Sequence, residues 1–599
     1  MLCHFASISL LLTVSFAVNV CFPLGPTYPA PRNPSKTKAL AQVLEIFNST
    51  VGESLSANGS SYGQLDPKAT SFSMEIFSLR EGQPLFMYHF SAPEFANATE
   101  GVQEVNSSTI YRLGSMSKLL SVYNFLIAAG DIHFNQPITK YVPELAQYAT
   151  QHQASLHTND IDAVSWDEVT VGALASQMAG ISREDAFGPA QDAELREGLG
   201  LPQVASVNAS FCGPRNIQVQ VPCTRAGMWS DSAPIELELT MVLDFFIDLF
   251  DQHPVVPSWH TPIYSNAAFQ ILSYALENIT GEAFNESFQQ GIIQPLKLNH
   301  TYLAAPSNVD LAVIPYNRSW SWFDWDMGEE SPAGGYYSNL NDLRAIGKSI
   351  LNSTLLAPQI TRKWMKPVTF TGSVNVSVGS PWEIVRAPME RNLWLYTKGG
   401  HIGTYTSEII LIPEYEIGAT VLTTGVEVSN DVDLLSNLFA EIVVPKLEDV
   451  SKEEANATYT GTYTSMATND TLIITMDSFP GLLVSNWTWN GTDAISLLGA
   501  LIGAGPDQDV EVRLWPTTLT AHPASSPNIA TQTSWRAVIQ KLPLPDYGPF
   551  LGNCISWLQV DQLTYGAVGV DEMVFDLNAN GTRAIGVEAR FFRANYTRS

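Results

Sequence analysis

The chain has 599 residues, 45% hydrophobic and 15% charged, which excludes a disordered chain and, at this length, a single ordinary core. A formal net charge of −28 excludes a nucleic-acid binder, because a phosphate backbone selects a basic face. The charge suits solubility in an extracellular or acidic setting. No Cys/His spacing resembles a zinc site and no glycine loop of the nucleotide-binding type is present, so neither metal nor organic cofactor is expected.

Residues 1–20 read as a signal peptide. The apolar run from Ile8 to Val20 is too short to span a bilayer comfortably. Cleavage fits after Ala17 or at a site nearer Cys21. No later stretch is long and uncharged enough for a membrane helix, so a secreted protein is expected. Asn-x-Ser/Thr sequons agree, at Asn48, Asn58, Asn97, Asn106, Asn208, Asn278, Asn285, Asn299, Asn317, Asn352, Asn375, Asn456, Asn469, Asn486, Asn490, Asn580 and Asn595. Acceptor asparagines of that kind belong on the surface of secreted chains. In an oxidising compartment Cys212 and Cys223 are candidates for a local disulfide. Cys21 pairs with Cys554 if cleavage precedes it.

Residues 21–65 form an N-terminal extension, Pro-rich at first and helical from about Thr37 to Phe47. Alternation over Phe72–Ser78 and Leu85–Phe90, across the Glu81-Gly82-Gln83 turn, predicts a hairpin. Asp131 to Leu298 reads as mostly helix and loop. It includes a short helix near Pro137–Leu145 and a capped helix over Val169–Ile181 ending at glycine. A further helical run follows Tyr264-Ser265-Asn266. Trp320, Trp322, Phe323 and Trp325 crowd a loop, placed either as rim packing or as the lining of an acyl pocket. Lys398-Gly399-Gly400-His401 opens a strand over Thr406–Ile412, with a partner at Ile417–Thr423. A last helix spans about Asp431–Val443. The charged segment Glu448–Glu454 suits a linker, dividing a domain at 66–447 from a β-rich domain, sandwich or barrel, at 448–599.

The chemistry centres on Gly114-Ser115-Met116-Ser117-Lys118, which precedes an apolar run at helical spacing. Residues at i and i+3 share a helix face, so the Lys118 amine lies beside the Ser115 hydroxyl at a helix start. There the free N–H groups favour developing negative charge. A serine hydroxyl is a poor nucleophile until a neighbouring base takes its proton. By itself Ser-x-x-Lys is a weak signal, and Ser35-Lys36-Thr37-Lys38 is a second copy in a polar segment. Alone, Tyr264 also fits a core tyrosine and Asn266 a helix N-cap.

Ser115-x-x-Lys118, Tyr264-x-Asn266 and Lys398-Gly399-Gly400 stand in the order of the serine β-lactamase and penicillin-binding-protein superfamily. The chain most resembles its class C β-lactamase, DD-peptidase and carboxylesterase branch. Pro137–Leu145, Val169–Ile181, Gln294-Pro295-Leu296 and Ala333–Ser338 are similar too, so the resemblance covers roughly Phe72 to Val444. It implies an α+β fold: a five-stranded antiparallel sheet flanked by helices, plus a helical subdomain, with the nucleophile at the seam. Here the C-terminal β-rich domain follows.

The resemblance also implies residue roles. Ser115 is acylated, while Lys118 and Tyr264 relay its proton, the sequence leaving open which of them holds it. Asn266 binds the acyl side of the substrate. Lys398 and Gly400 belong to the third motif, whose lysine orients Tyr264. The backbone N–H groups of Ser115 and His401 form the oxyanion hole. The family commonly has a threonine where this chain has Gly399, which removes a hydroxyl that holds a substrate carboxylate and implies weak β-lactamase activity. His401-Ile402-Gly403 is a rival register for this motif. The expectation is a secreted serine hydrolase acting on a small-molecule or peptide-like ester or amide. An acyltransferase using the same intermediate, or a non-catalytic binding protein that keeps the fold, are the alternatives.

Overall fold

The hairpin that alternation predicts is the start of the sheet that carries the site. The computed structural model describes residues 22–599 apart from 94, 96–97, 155–159, 184–197, 202–212, 215–219, 222–243, 426–427, 524–528, 530 and 544–555. Ser71–Ser78 (β1) and Phe86–Phe90 (β2) pair antiparallel with Met74 opposite Tyr88. The sheet continues with Thr369–Phe370 (β3), Val376–Val378 (β4), Glu383–Arg386 (β5), Trp394–Ile402 (β6), Tyr405–Ile412 (β7) and Ile417–Thr424 (β8). Its order is β2-β1-β8-β7-β6-β5-β4-β3, antiparallel throughout. The expected five-stranded core is therefore widened by a meander of three short strands, β3–β5, beyond β6. Every residue of β1 and of β8 is buried, as befits strands inside a sheet covered on both faces. Glu75 on β1 is the exception in chemistry. Its fully buried carboxylate is held by Arg344, and burial pushes its pKa up to about 7 against that cation's pull.

Lys38–Ser54 (α1), Ser117–Ala129 (α2), Ala267–Thr280 (α3) and Leu340–Leu351 (α4) are the helices that matter here. The first ten residues of both α2 and α3 are buried all round, the mark of central helices. The two pack against each other, so what each carries at its N-terminus is brought together.

Several expectations are corrected. The helix over Val169–Ile181 is only Val171–Ala175: Thr170 caps its start, and Gln177 at φ 62° turns the chain out of it. Lys398 does not open β7 but lies inside β6, a strand of its own, joined to β7 by a turn at Gly403. Glu448–Glu454 is not an irregular linker: it belongs to the helix Val444–Tyr459 (α5), which carries the chain from one compact unit into the next. Leu447, Val450, Ala455 and Tyr459 form its buried face, and the charges that suggested a linker lie mostly on the other.

The chain divides into two compact units, Arg32–Leu447 and Glu448–Ser599, the latter joined by the chain up to Pro31. In the second unit Gly461–Thr464 (β9), Thr471–Thr475 (β10), Leu482–Trp489 (β11), Thr492–Asp493 (β12), Asp509–Ala521 (β13), Thr531–Leu542 (β14), Glu572–Leu577 (β15), Ala584–Ala589 (β16) and Ala594–Arg598 (β17) form one sheet. Its order is β10-β9-β17-β16-β15-β14-β13-β11-β12, and β10 also pairs with β11, so eight strands close into a barrel. Aromatic and aliphatic side chains, among them Tyr463, Trp487, Trp535 and Phe575, fill it, as in other small barrels. Tyr28 from the N-terminal extension belongs to the same core. Residues 1–20, Cys21, Cys212, Cys223, Cys554, Asn97 and Asn208 lie outside the described residues.

Candidate active site

The serine sits on a single 3-10 turn, Gly114–Met116, that runs straight into α2. Gly114 takes φ +55°, and a β-carbon there would stand 2.6 Å from His401 N. One on Gly400 would stand 2.0 Å from Leu113 O and 2.7 Å from Ser115 N. The turn and β6 thus press backbone against backbone, which only two glycines allow. Hydrogen bonds clamp the turn from two more sides. Ser407 Oγ donates to Leu113 O at 2.6 Å, Leu113 N to Tyr336 O at 2.8 Å, and Tyr336 N to Ser117 Oγ at 3.1 Å. Ser117 Oγ in turn donates to Gly114 O at 2.7 Å.

Lys118 Nζ donates to Ser115 Oγ at 3.1 Å, Asn266 Oδ1 at 2.5 Å and Ala333 O at 2.6 Å. Three acceptors match the three protons of an ammonium. Burial nevertheless lowers the Lys118 pKa below that of an ordinary lysine, with the nearby Lys398 charge adding to the effect. Tyr264 Oη donates to the same Ser115 Oγ at 2.6 Å. Its loop is positioned by hydrogen bonds from its backbone N–H groups: Ile263 N to Gln177 O, Ser265 N to the Gln177 side-chain Oε1, and Asn266 N to Arg183 O. The N-cap of α3 is corrected accordingly. Ser265 Oγ accepts from Ala268 N, while the Asn266 side chain faces Lys118. Burial alone would raise the Tyr264 pKa, but the Lys118 and Lys398 cations and the bond to Ser115 outweigh it, so it lies below the usual tyrosine value.

A family model described as Beta-lactamase matches residues 78–440. The chain belongs to the beta-lactamase family. A second family model, described as Beta-lactamase-like-like, C-terminal domain, matches residues 451–599. The chain is 28% identical over 616 residues to the beta-lactamase-like protein of Arthroderma benhamiae, a match covering 97% of this chain and 96% of that protein. It is 25% identical over 591 residues to Probable hydrolase M10 of a Phoma species, covering 95% and 89%. Among solved structures, the octameric penicillin-binding protein homologue from Pyrococcus abyssi aligns with 93% of this chain and 100% of its own at 14% identity, with a TM-score of 0.43. The chain is a hydrolase of the beta-lactamase family.

In this member of the family the third motif has its own surroundings. Lys398 Nζ lies 5.7 Å from the Tyr264 ring centroid and donates to Glu383 Oε1 and Gly399 O, both at 2.7 Å. Burial pulls the Lys398 pKa down, but the Glu383 carboxylate first and Tyr264 after it outweigh the burial, so the lysine is held cationic above its ordinary value. His401, the rival, is exposed, and its ring nitrogen Nε2 lies 3.2 Å from Gly403 O. Of the two side chains, Lys398 is the one at Tyr264.

The structure gathers Ser115, Lys118, Tyr264, Asn266, Lys398 and Gly400 at one place, with only the backbone of His401 joining them. Sequence reasoning missed Glu383, Glu408, Arg183 and Arg112. Arg183 stacks 4.8 Å over the Tyr264 ring. Arg112, fully buried, donates to the carbonyls of Trp322 and Trp325 and so anchors the aromatic loop beside β3–β5's neighbour strand β6, where a β-carbon on Gly403 would meet Trp322 at 2.7 Å. None of the four belongs to a motif, and only strand register or loop path brings them in.

Proposed function

We propose that this hydrolase forms an acyl-enzyme on Ser115 and acts on an ester or amide of a small or hydrophobic acyl group. The observation that carries the reading is one oxygen with two proton-handling partners, Ser115 Oγ between Tyr264 Oη at 2.6 Å and Lys118 Nζ at 3.1 Å. In the step we propose, Tyr264 acts as phenolate, kept so by Lys118 and Lys398. Ser115 Oγ bonds to the substrate carbonyl carbon as its proton passes to Tyr264 Oη. The carbonyl π electrons move to oxygen, and that charge is received by the N–H groups of Ser115 and His401. Collapse breaks the bond to the leaving oxygen or nitrogen, which takes the proton from Tyr264. Water then attacks the acyl carbon, gives its proton to Tyr264, and Ser115 leaves with that proton.

We also propose that the protein is secreted and glycosylated. Every sequon asparagine among the described residues is exposed, whereas Asn124 and Asn339, outside sequons, are buried. Acid quench during turnover of an activated ester, followed by peptide mapping, tests the chemistry. An acyl group on the Ser115 peptide is the expected result. Turnover with no acyl group on any peptide, or acyl on another residue, contradicts it.

A further inference from the structure

The cation at the edge of the site is already engaged. Glu383 takes the Lys398 ammonium on one carboxylate oxygen at 2.7 Å and the Gly399 N–H on the other at 3.1 Å. An ammonium and an adjacent amide are the paired donors that a carboxylate binds, and Glu383 occupies both. The Lys398 side chain is 3% exposed and that of Glu383 41%, so what faces solvent at this edge is the anion. Glu383 stands opposite Thr397 from β5, and Glu408 stands opposite Gly399 from β7. A β-carbon on Gly399 would lie 2.6 Å from Glu408 Oε2. The room a side chain would take there is therefore filled by the Glu408 carboxyl group.

Resting on the acyl-enzyme reading above, we propose that Glu383 is a specificity-determining residue that bars carboxylate-bearing substrates and leaves the site to uncharged esters and amides. The Glu408 carboxyl, whose pKa burial and the Glu383 charge push up to about 8, fills the space at Gly399. A substrate carboxylate arriving at β6 meets the Glu383 carboxylate already paired with the enclosed ammonium. It has either to displace Glu383 or to lie beside it, and both are unfavourable. Discrimination built on such a repulsive element needs no added contact to the preferred substrate. Lys118 offers no substitute, because its three protons are directed at Ser115, Asn266 and Ala333.

The test uses two matched pairs of substrates on the full-length protein. One pair carries the charge on the leaving group, as butyryl esters of 3-hydroxybenzoate and 3-hydroxybenzamide. The other carries it on the acyl group, as 4-methylumbelliferyl esters of glutarate and glutaramate. In wild type the amide member of at least one pair is expected to have the higher kcat/KM, by about tenfold or more. Glu383→Gln keeps the shape and removes the charge. It is expected to raise the ratio of the carboxylate member's kcat/KM to the amide member's about tenfold in that pair, a ratio in which any effect on Lys398 and Tyr264 common to both members cancels. Fluorophosphonate labelling of both proteins shows that each is folded and active. Equal rates within both pairs in wild type overturn the proposal, as does a labelled Glu383→Gln protein that slows both members alike. Wild-type preference for the carboxylates overturns it too and moves the anion receptor to Arg183. Absence of labelling and turnover in both proteins overturns the acyl-enzyme reading and this inference with it.

Discussion

Tyr264 Oη lies 2.6 Å from Ser115 Oγ although 149 positions separate the two residues. The Gln177–Arg183 segment brings the tyrosine there by holding the backbone amides of Ile263, Ser265 and Asn266 on either side of it, and the packing of α3 on α2 fixes the depth. The proximity makes the tyrosine the group best placed to take the serine's proton.

Tyr264→Phe removes the acceptor and leaves the ring's packing. A general base contributes about 10²–10⁴-fold, so kcat/KM is expected to fall by about 10³ with KM little changed. A steady-state comparison on one activated ester checks this. A loss below about tenfold would shift the base role to Lys118.

The pH profile has a sign that follows from the two shifts. Tyr264 works as phenolate, so kcat/KM rises with pH through its pKa, which its cationic neighbours hold below the usual value of about 10. Lys118 works as the ammonium, so activity falls again as pH passes its lowered pKa. A bell is expected in kcat/KM. Lys398→Met takes away one of the cations and should move the acid limb to higher pH. An unmoved limb contradicts the account.

Gly400→Ala puts a β-carbon 2.0 Å from Leu113 O. Overpacking of this kind costs about 1–3 kcal/mol, and here relief means moving the nucleophile turn. Urea unfolding and fluorophosphonate labelling should both suffer. Gly372→Ala, with open space around its β-carbon, should change neither.

Glu75 sets a pH dependence of stability apart from catalysis. Its folded pKa, about 7, is raised above the unfolded value of about 4.3, so its contribution is fully present below the latter. That contribution is lost as pH rises through 7, as the folded state binds the proton more tightly. Glu75→Gln should flatten the decline in melting temperature between those two values. An unchanged slope would mean that Arg344 keeps the carboxylate ionised throughout.

How legible the chain is depends on what each feature needs. The β1–β2 hairpin shows in alternation, and the Ser115–Lys118 pair in helical spacing, because both are local. Tyr264 and Lys398 stand out only through the resemblance, since lone residues carry no pattern. The strand of Lys398 is misplaced in the sequence reading because Gly399 and Gly400 weaken strand propensity, and pairing with both β5 and β7 overrides it. In α5 the acidic residues mask the buried stripe of Leu447, Val450, Ala455 and Tyr459. Glu383 is invisible beforehand, because its ion pair exists only once strand register sets it opposite Thr397.

Intact-mass spectrometry of the deglycosylated protein after exposure to a fluorophosphonate, beside a Ser115→Ala control, tests the central claim most directly. A single adduct on wild type that is missing from the control is the predicted result. Folded wild type that takes no adduct, or a control that takes the same one, would contradict a nucleophilic Ser115 and leave the fold to a binding role.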